Sequence, residues 1–205
     1  HYAKEIGKIF LVTVKKFLKN DVIVALNDEN EGVIPYEELN GEKLRVGSKI
    51  LAVLEKIETY KGHQLIFSKK SDAYVLGILL KEIPAIGEEN IEVVNMARIK
   101  GKRAKIVVKS LIAHMDVMRE CIGPKGTRVK QVVEFLNGEQ IDFVAYDKDL
   151  GRYIENLMSP ITVEKAVIDE SRDRMSIVVS EAEFNKYKSL VNTNQILVSK
   201  ILNLE

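Results

Sequence analysis

Ile122-Gly123-Pro124-Lys125-Gly126-Thr127-Arg128-Val129 is the stretch on which the reading of this chain turns. Two glycines flank a proline and a lysine, so the backbone turns sharply and another chain can approach without meeting a Cβ. Behind the loop, Val129, Val132, Val133 and Leu136 recur at i, i+3, i+4 and i+7, the spacing of one buried helix face, and Asn137-Gly138 supplies the stop. In front of it a short helix ends near Ile122. The N–H groups from Thr127 onward face an anion lying there, with the positive end of the helix dipole, and Lys125 adds charge at the tip. The phosphate loop of NTPases is excluded, because it needs four residues between its glycines and a lysine after the second.

Upstream, Ile91 to Ile99 and Arg103 to Lys109 form a hairpin around Lys100-Gly101-Lys102. Net charge is only +1, so any argument for nucleic acid rests on local distribution. From Arg98 to Lys109 stand Arg98, Lys100, Lys102, Arg103, Lys105 and Lys109 with no acid between them. Around the loop, Arg119, Lys125, Arg128 and Lys130 are opposed by Glu120 alone. Tyr74, Val75, Ile78 and Leu79 sit at helical spacing before Pro84, and Gln140 to Tyr146 reads as a closing strand. The order is helix, strand, strand, helix, helix, strand.

That order then begins again, which is more specific than any single motif. Leu150, Ile154, Leu157 and Met158 make a helix stopped by Pro160, and Thr162 to Asp169 with Arg174 to Ser180 make a hairpin. Its return strand Arg174-Met-Ser-Ile-Val-Val179 echoes Arg103-Ala-Lys-Ile-Val-Val108. Helical stretches over Glu181–Leu190 and Asn194–Leu202 follow, and about Ser189 to Thr193, where the second copy of the loop is expected, no glycine occurs. The chain opens at His1 and stops where the last strand would begin, so it reads as a piece of a longer protein.

The first 71 residues read differently: Gly7 to Phe17, Val22 to Leu26, Gly47 to Ile57 and Gln64 to Ser68 are β-rich stretches, with Asn27 to Gly32 a polar turn between them. Five short strands of this kind predict a small closed barrel. Phe10, Phe17 and Tyr60 are its candidate stacking aromatics. No run of about 18 apolar residues crosses a membrane. The single Cys121 forms no internal disulfide and reads as a core thiol, and there is no Cys/His cluster at metal-ligand spacing. His1, His63 and His114 are scattered away from any nucleophile, so the chain reads as a binding protein rather than an enzyme, with no cofactor.

The barrel phrases Glu31 to Pro35, Val46-Gly47-Ser48-Lys49 and Leu65 to Lys69 resemble the OB-fold module named for ribosomal protein S-one. Glu88 to Lys109, Cys121 to Val129 and Gly138-Glu139-Gln140-Ile141-Asp142 resemble the first KH domain of the NusA family of bacterial transcription factors. The resemblance implies a multi-domain chain: an all-β OB-fold barrel over 1–71, then two α+β KH (type II) domains, 72–147 and 148–205, the second truncated and degenerate. It implies a cytoplasmic factor that binds single-stranded nascent RNA and modulates RNA polymerase pausing, termination and antitermination. The polymerase would be reached through a domain to which nothing here corresponds, and other antitermination factors are implied as further partners. Carried over, the RNA groove takes in Arg98, Lys102, Arg103, Lys105, Ile122, Gly123, Pro124, Lys125, Gly126, Thr127, Arg128 and Lys130. Asp116-Val117-Met118-Arg119 departs from the family's usual Asp-Pro-Val-Gly. Two other readings stay open: an RNA-binding accessory segment of a degradation enzyme such as polynucleotide phosphorylase, and a protein-interaction scaffold without RNA binding.

Overall fold

The computed structural model describes residues 2–204; His1, one of the scattered histidines, lies outside them. Five strands close into a barrel: β1 (Ile9–Leu18), β2 (Asp21–Ala25), β3 (Glu31–Ile34), β4 (Lys49–Tyr60) and β5 (His63–Ser68). Their order is β1-β2-β3-β5-β4, with β4 returning to β1. Alternation selects the interior: Val12 and Val14, Val22 and Val24, Ala52 and Leu54, Leu65 and Phe67 point inward and are buried. Only β3 and β5 run parallel, pairing Gly32 with Leu65 and Val33 with Ile66. A Cβ on Gly32 would stand 2.6 Å from the Phe67 ring and 2.7 Å from the Leu65 carbonyl, which is why glycine occupies that crossing. Phe10, partly buried, packs edge-on against Phe67 at 6.1 Å between ring centres, against the barrel core.

Contacts divide the chain into two units, one running to Gly87 and taking in Lys130–Gly138, the other comprising Glu88–Val129 and the residues from Glu139 onward. The first unit adds helix α1 (Asp72–Glu82), capped by Ser71 Oγ accepting the Tyr74 N–H, and the single turn α2 (Pro84–Gly87). It also holds the end of the helix that follows the glycine loop. The last carbonyls of a helix have no partner within it. Here Tyr74 Oη donates to the Phe135 carbonyl at 3.2 Å, Asn40 Nδ2 to that of Leu136 at 2.9 Å, and Asn137 Nδ2 to that of Asn40 at 3.0 Å.

In the second unit β6 (Ile91–Ile99) and β7 (Arg103–Ser110) form the antiparallel hairpin, and β8 (Gln140–Ala145) lies parallel to β7. A parallel neighbour needs a crossover. It consists of α3 (Val117–Ile122), the glycine loop and α4 (Thr127–Phe135). After β8 come α5 (Leu150–Met158), the two-stranded β9 (Lys165–Asp169) and β10 (Arg174–Val178), then α6 (Glu181–Lys186) and α7 (Lys188–Leu202). Ala97, Val107 and Val144 of the first sheet share one core with Ile154, Leu157, Leu197, Val198 and Ile201 of the later helices.

The expected break at Ser189 to Thr193 is not there. Those five residues lie inside α7, and the junction between the last two helices falls at Tyr187, whose φ of −112° and ψ of 26° interrupt them. Without glycine or proline nothing halts the helix, and Thr193 and Asn194 are buried within it, Asn194 Nδ2 donating to the Met158 carbonyl at 3.0 Å. Among the described residues no helix is long and apolar enough to cross a membrane, and no group of His, Cys, Asp and Glu could hold a metal ion.

Candidate nucleic-acid interface

The glycine loop is a sharp, well-bonded turn. Asp116 caps α3 by accepting the Arg119 N–H at 3.1 Å, and Gly123 ends that helix at φ +76°, its N–H donated to the Arg119 carbonyl at 3.0 Å. Pro124 to Gly126 form one tight turn, with Lys125 left-handed at φ 53° and Gly126 at φ 72°. A lysine held in that region costs on the order of 1 kcal/mol relative to glycine. Pro124, Lys125, Thr127 and Lys130 are exposed, and the apolar Ile122 beside them is 37% exposed. The amide of Gly126 is engaged with the Gly123 carbonyl and that of Thr127 with the Pro124 carbonyl. The expectation that the Thr127 N–H faces an anion is therefore corrected.

Arg128 is half-buried against the loop. Its Nη1 donates to the main-chain carbonyl of Glu120 at 2.6 Å and lies 3.3 Å from Glu120 Oε2. A Cβ on Gly123 would meet Arg128 Cγ at 2.7 Å and Arg128 N at 3.0 Å. The close approach that requires glycine at 123 thus comes from within the protein. Cys121, next to this pair, is fully buried; desolvation pushes its thiol up to about 12, with Glu120 adding to the rise. A thiol so protonated at neutral pH is a packing residue.

The basic hairpin is not a uniform phosphate surface. Arg98 is 7% exposed and Glu139 0%, and they form a bidentate pair, Nε to Oε2 and Nη2 to Oε1 both at 2.9 Å; Oε1 also accepts the Gly101 N–H at 2.7 Å. Lys105 is 0% exposed and lies 3.2 Å from Asp142 Oδ2, while Arg103 Nη1 lies 2.6 Å from Asp142 Oδ1. Burial pulls the Lys105 ammonium below its ordinary 10.5, and Asp142 opposes that shift. Buried cations paired in this way cannot reach a strand outside, so Arg98 and Lys105 leave the candidate contact set. Lys100 and Lys102 remain exposed at the turn.

Glu139 and Asp142 are the residues that sequence reading missed. The signal was present in strand register: β8 runs parallel to β7 with Arg103 opposite Gln140 and Lys105 opposite Asp142, so an acid about 37 residues downstream neutralises the hairpin. Arg98, Gly101 and Glu139 are brought together as one group, Arg103, Lys105 and Asp142 as a second, and Glu120, Gly123 and Arg128 as a third.

Residues 70–146 match the family model of the NusA-like first KH domain. The chain is 33% identical over 180 residues to the transcription termination/antitermination protein NusA of Rickettsia conorii and 32% identical to that of Rickettsia prowazekii, covering 85% of this chain in each case. It spans 36% of the length of those relatives. Among solved structures, the crystal structure of APE1850 covers 62% of this chain and 93% of its own, at 22% identity and a TM-score of 0.46, a likeness too slight to argue from. Residues 70–146 thus carry a NusA-like first KH domain, and the chain around it shares about a third of its aligned positions with two NusA proteins.

Proposed function

We propose that this chain is the RNA-holding part of a cytoplasmic transcription termination and antitermination factor, and that its loop Gly123 to Gly126 clamps the backbone of single-stranded nascent RNA. The observation that carries the proposal is the loop itself: a glycine-flanked turn between two helices in a KH domain, with Pro124, Lys125, Thr127 and Lys130 exposed around it. In KH modules such a loop grips about four backbone nucleotides while bases lie in the adjoining groove. The proposed contact set is Ile122, Pro124, Lys125, Gly126, Thr127 and Lys130, with Lys100 and Lys102 as outlying charge. RNA polymerase and other antitermination factors are the protein partners that this reading carries with it.

The reading further divides the chain into a barrel over 1–71 and KH units over 72–147 and 148–205. Support for the second KH unit comes from recurrence. Helix α4 is followed by Asn137 in the left-handed region and by Gly138, whose N–H bonds the Val133 carbonyl; α7 is followed by left-handed Asn203 and by Leu204, whose N–H bonds the Ser199 carbonyl. The same cap thus follows the second long helix in each copy. With α6 and α7 joined at Tyr187 and no glycine turn, the second unit packs rather than clamps.

A fluorescence anisotropy titration with single-stranded RNA tests the proposal. Saturable binding is expected; a scaffold without RNA binding would give no signal above background. The accessory-segment reading gains nothing from the relatives found.

A further inference from the structure

We infer that Arg128 is a positioning residue that braces the RNA loop from inside, and that it makes no contact with phosphate. The inference rests on the reading that the loop holds RNA, and it replaces the expectation that every cation around the loop faces the ligand.

Pro124 removes a donor that the end of α3 would otherwise use. In a helix the carbonyl of residue i accepts the N–H of residue i+4. The carbonyl of Glu120, in the last turn of α3, would look to residue 124, and proline has no N–H to give. That carbonyl is therefore left over by the sequence of the loop itself, and a carbonyl shielded from water without a partner is destabilising. Arg128 Nη1 fills the position at 2.6 Å. The same guanidinium lies 3.3 Å from the Glu120 carboxylate, so its charge is balanced where it sits.

To reach Glu120 the Arg128 stem passes directly beneath Gly123, where any side chain at 123 would strike its Cγ. Gly123, Pro124 and Arg128 thus form one interlocking device. Proline shapes the turn and removes a donor, arginine returns the donor from the following helix, and glycine leaves room for its stem. Lys125, held left-handed at the tip, has no such engagement among the described residues and is the cation directed to solvent.

The test compares two variants that each remove one positive charge, Arg128→Gln and Lys125→Gln, in the full chain. Affinity for single-stranded RNA is measured by anisotropy over a salt series, and amide hydrogen exchange at Gly123 and Gly126 is measured without RNA. For Arg128→Gln the expected results are a five- to tenfold loss of affinity, a log-log salt slope unchanged within about 0.3, and at least about tenfold faster exchange at both glycines. Lys125→Gln should flatten the slope by about 0.7, the value for one phosphate contact on a single strand, and leave exchange unchanged. A slope flattened by about 0.7 in Arg128→Gln would overturn the inference, because the guanidinium would then be a phosphate ligand. Unchanged exchange would overturn it as well, because the loop would not need the brace. Should the unaltered chain bind no RNA, the functional reading fails while the exchange comparison still decides whether Arg128 holds the loop.

Discussion

Arg98 and Glu139, 41 residues apart, meet as a buried ion pair with both hydrogen bonds at 2.9 Å. Removing one partner strands the other as an uncompensated charge, which costs about 3–5 kcal/mol. Arg98→Ala is accordingly expected to lower the midpoint of urea unfolding sharply, while Lys125→Ala changes the unfolding free energy by no more than about 0.5 kcal/mol. An Arg98→Ala chain with an unchanged midpoint and weakened RNA binding would return Arg98 to the interface.

Salt dependence separates the same two classes of cation. Each phosphate neutralised on a single strand contributes about −0.7 to the log-log slope, so three contacts give about −2. Lys125→Ala and Lys130→Ala are each expected to flatten the slope by about that increment. Lys105→Met should not, because its ammonium is buried beside Asp142. A series of anisotropy titrations at several salt concentrations checks this.

Lys105 also makes stability depend on pH in a stated direction. Its folded pKa lies below the ordinary 10.5 because burial disfavours the ammonium. Between that lowered value and 10.5 the unfolded chain binds more protons than the folded one, so unfolding free energy rises with pH through the window. Below the window both states are protonated and the penalty is constant. Comparing denaturation of the unaltered chain and Lys105→Met across the alkaline range should show a less positive pH slope in the variant, because the raised Cys121, Tyr74 and Tyr153 groups pull both curves down alike; parallel curves would contradict it. Lys69, also buried with a lowered pKa, contributes a rise common to both.

Much of this molecule was legible in its sequence because its elements are short and strongly patterned. The β-rich stretches Gly7 to Phe17 and Val22 to Leu26 marked strands of the barrel, and the spacing of Tyr74, Val75, Ile78 and Leu79 marked a helix face that is indeed buried. The loop between α3 and α4 stood out through Gly123 and Gly126. What sequence could not show was partnership across the sheet. A window from Arg98 to Lys109 contains no acid, yet parallel register brings Glu139 and Asp142 to it. The second loop was misplaced for a related reason: absence of glycine was read as a degraded turn, whereas the buried Thr193 and Asn194 show a helix continuing through.

Residues from Leu150 onward are expected to be necessary for the first KH sheet, because Leu157, Leu197 and Val198 cover Ala97, Val107 and Val144. Leu197, fully buried, is the test position: Leu197→Ala should cost about 2–5 kcal/mol. A loss below about 0.5 kcal/mol would mean that the two halves of that core are independent. Lys186→Gln with Lys188→Gln, in contrast, should change RNA affinity by less than about threefold, roughly 0.7 kcal/mol.

The most direct measurement is an anisotropy titration of single-stranded RNA against the chain carrying Pro124→Asp and Lys125→Asp, with circular dichroism recorded on the same samples. Both positions are exposed and outside the cores, so the overall fold should be unchanged although the first change returns an N–H to the turn, while two carboxylates at the tip would repel phosphate. The predicted result is a loss of affinity greater than tenfold, above about 1.4 kcal/mol, with an unaltered dichroism spectrum. Affinity within about twofold of the unaltered chain, on the order of 0.4 kcal/mol, with the same spectrum, would show that the loop from Gly123 to Gly126 does not hold RNA.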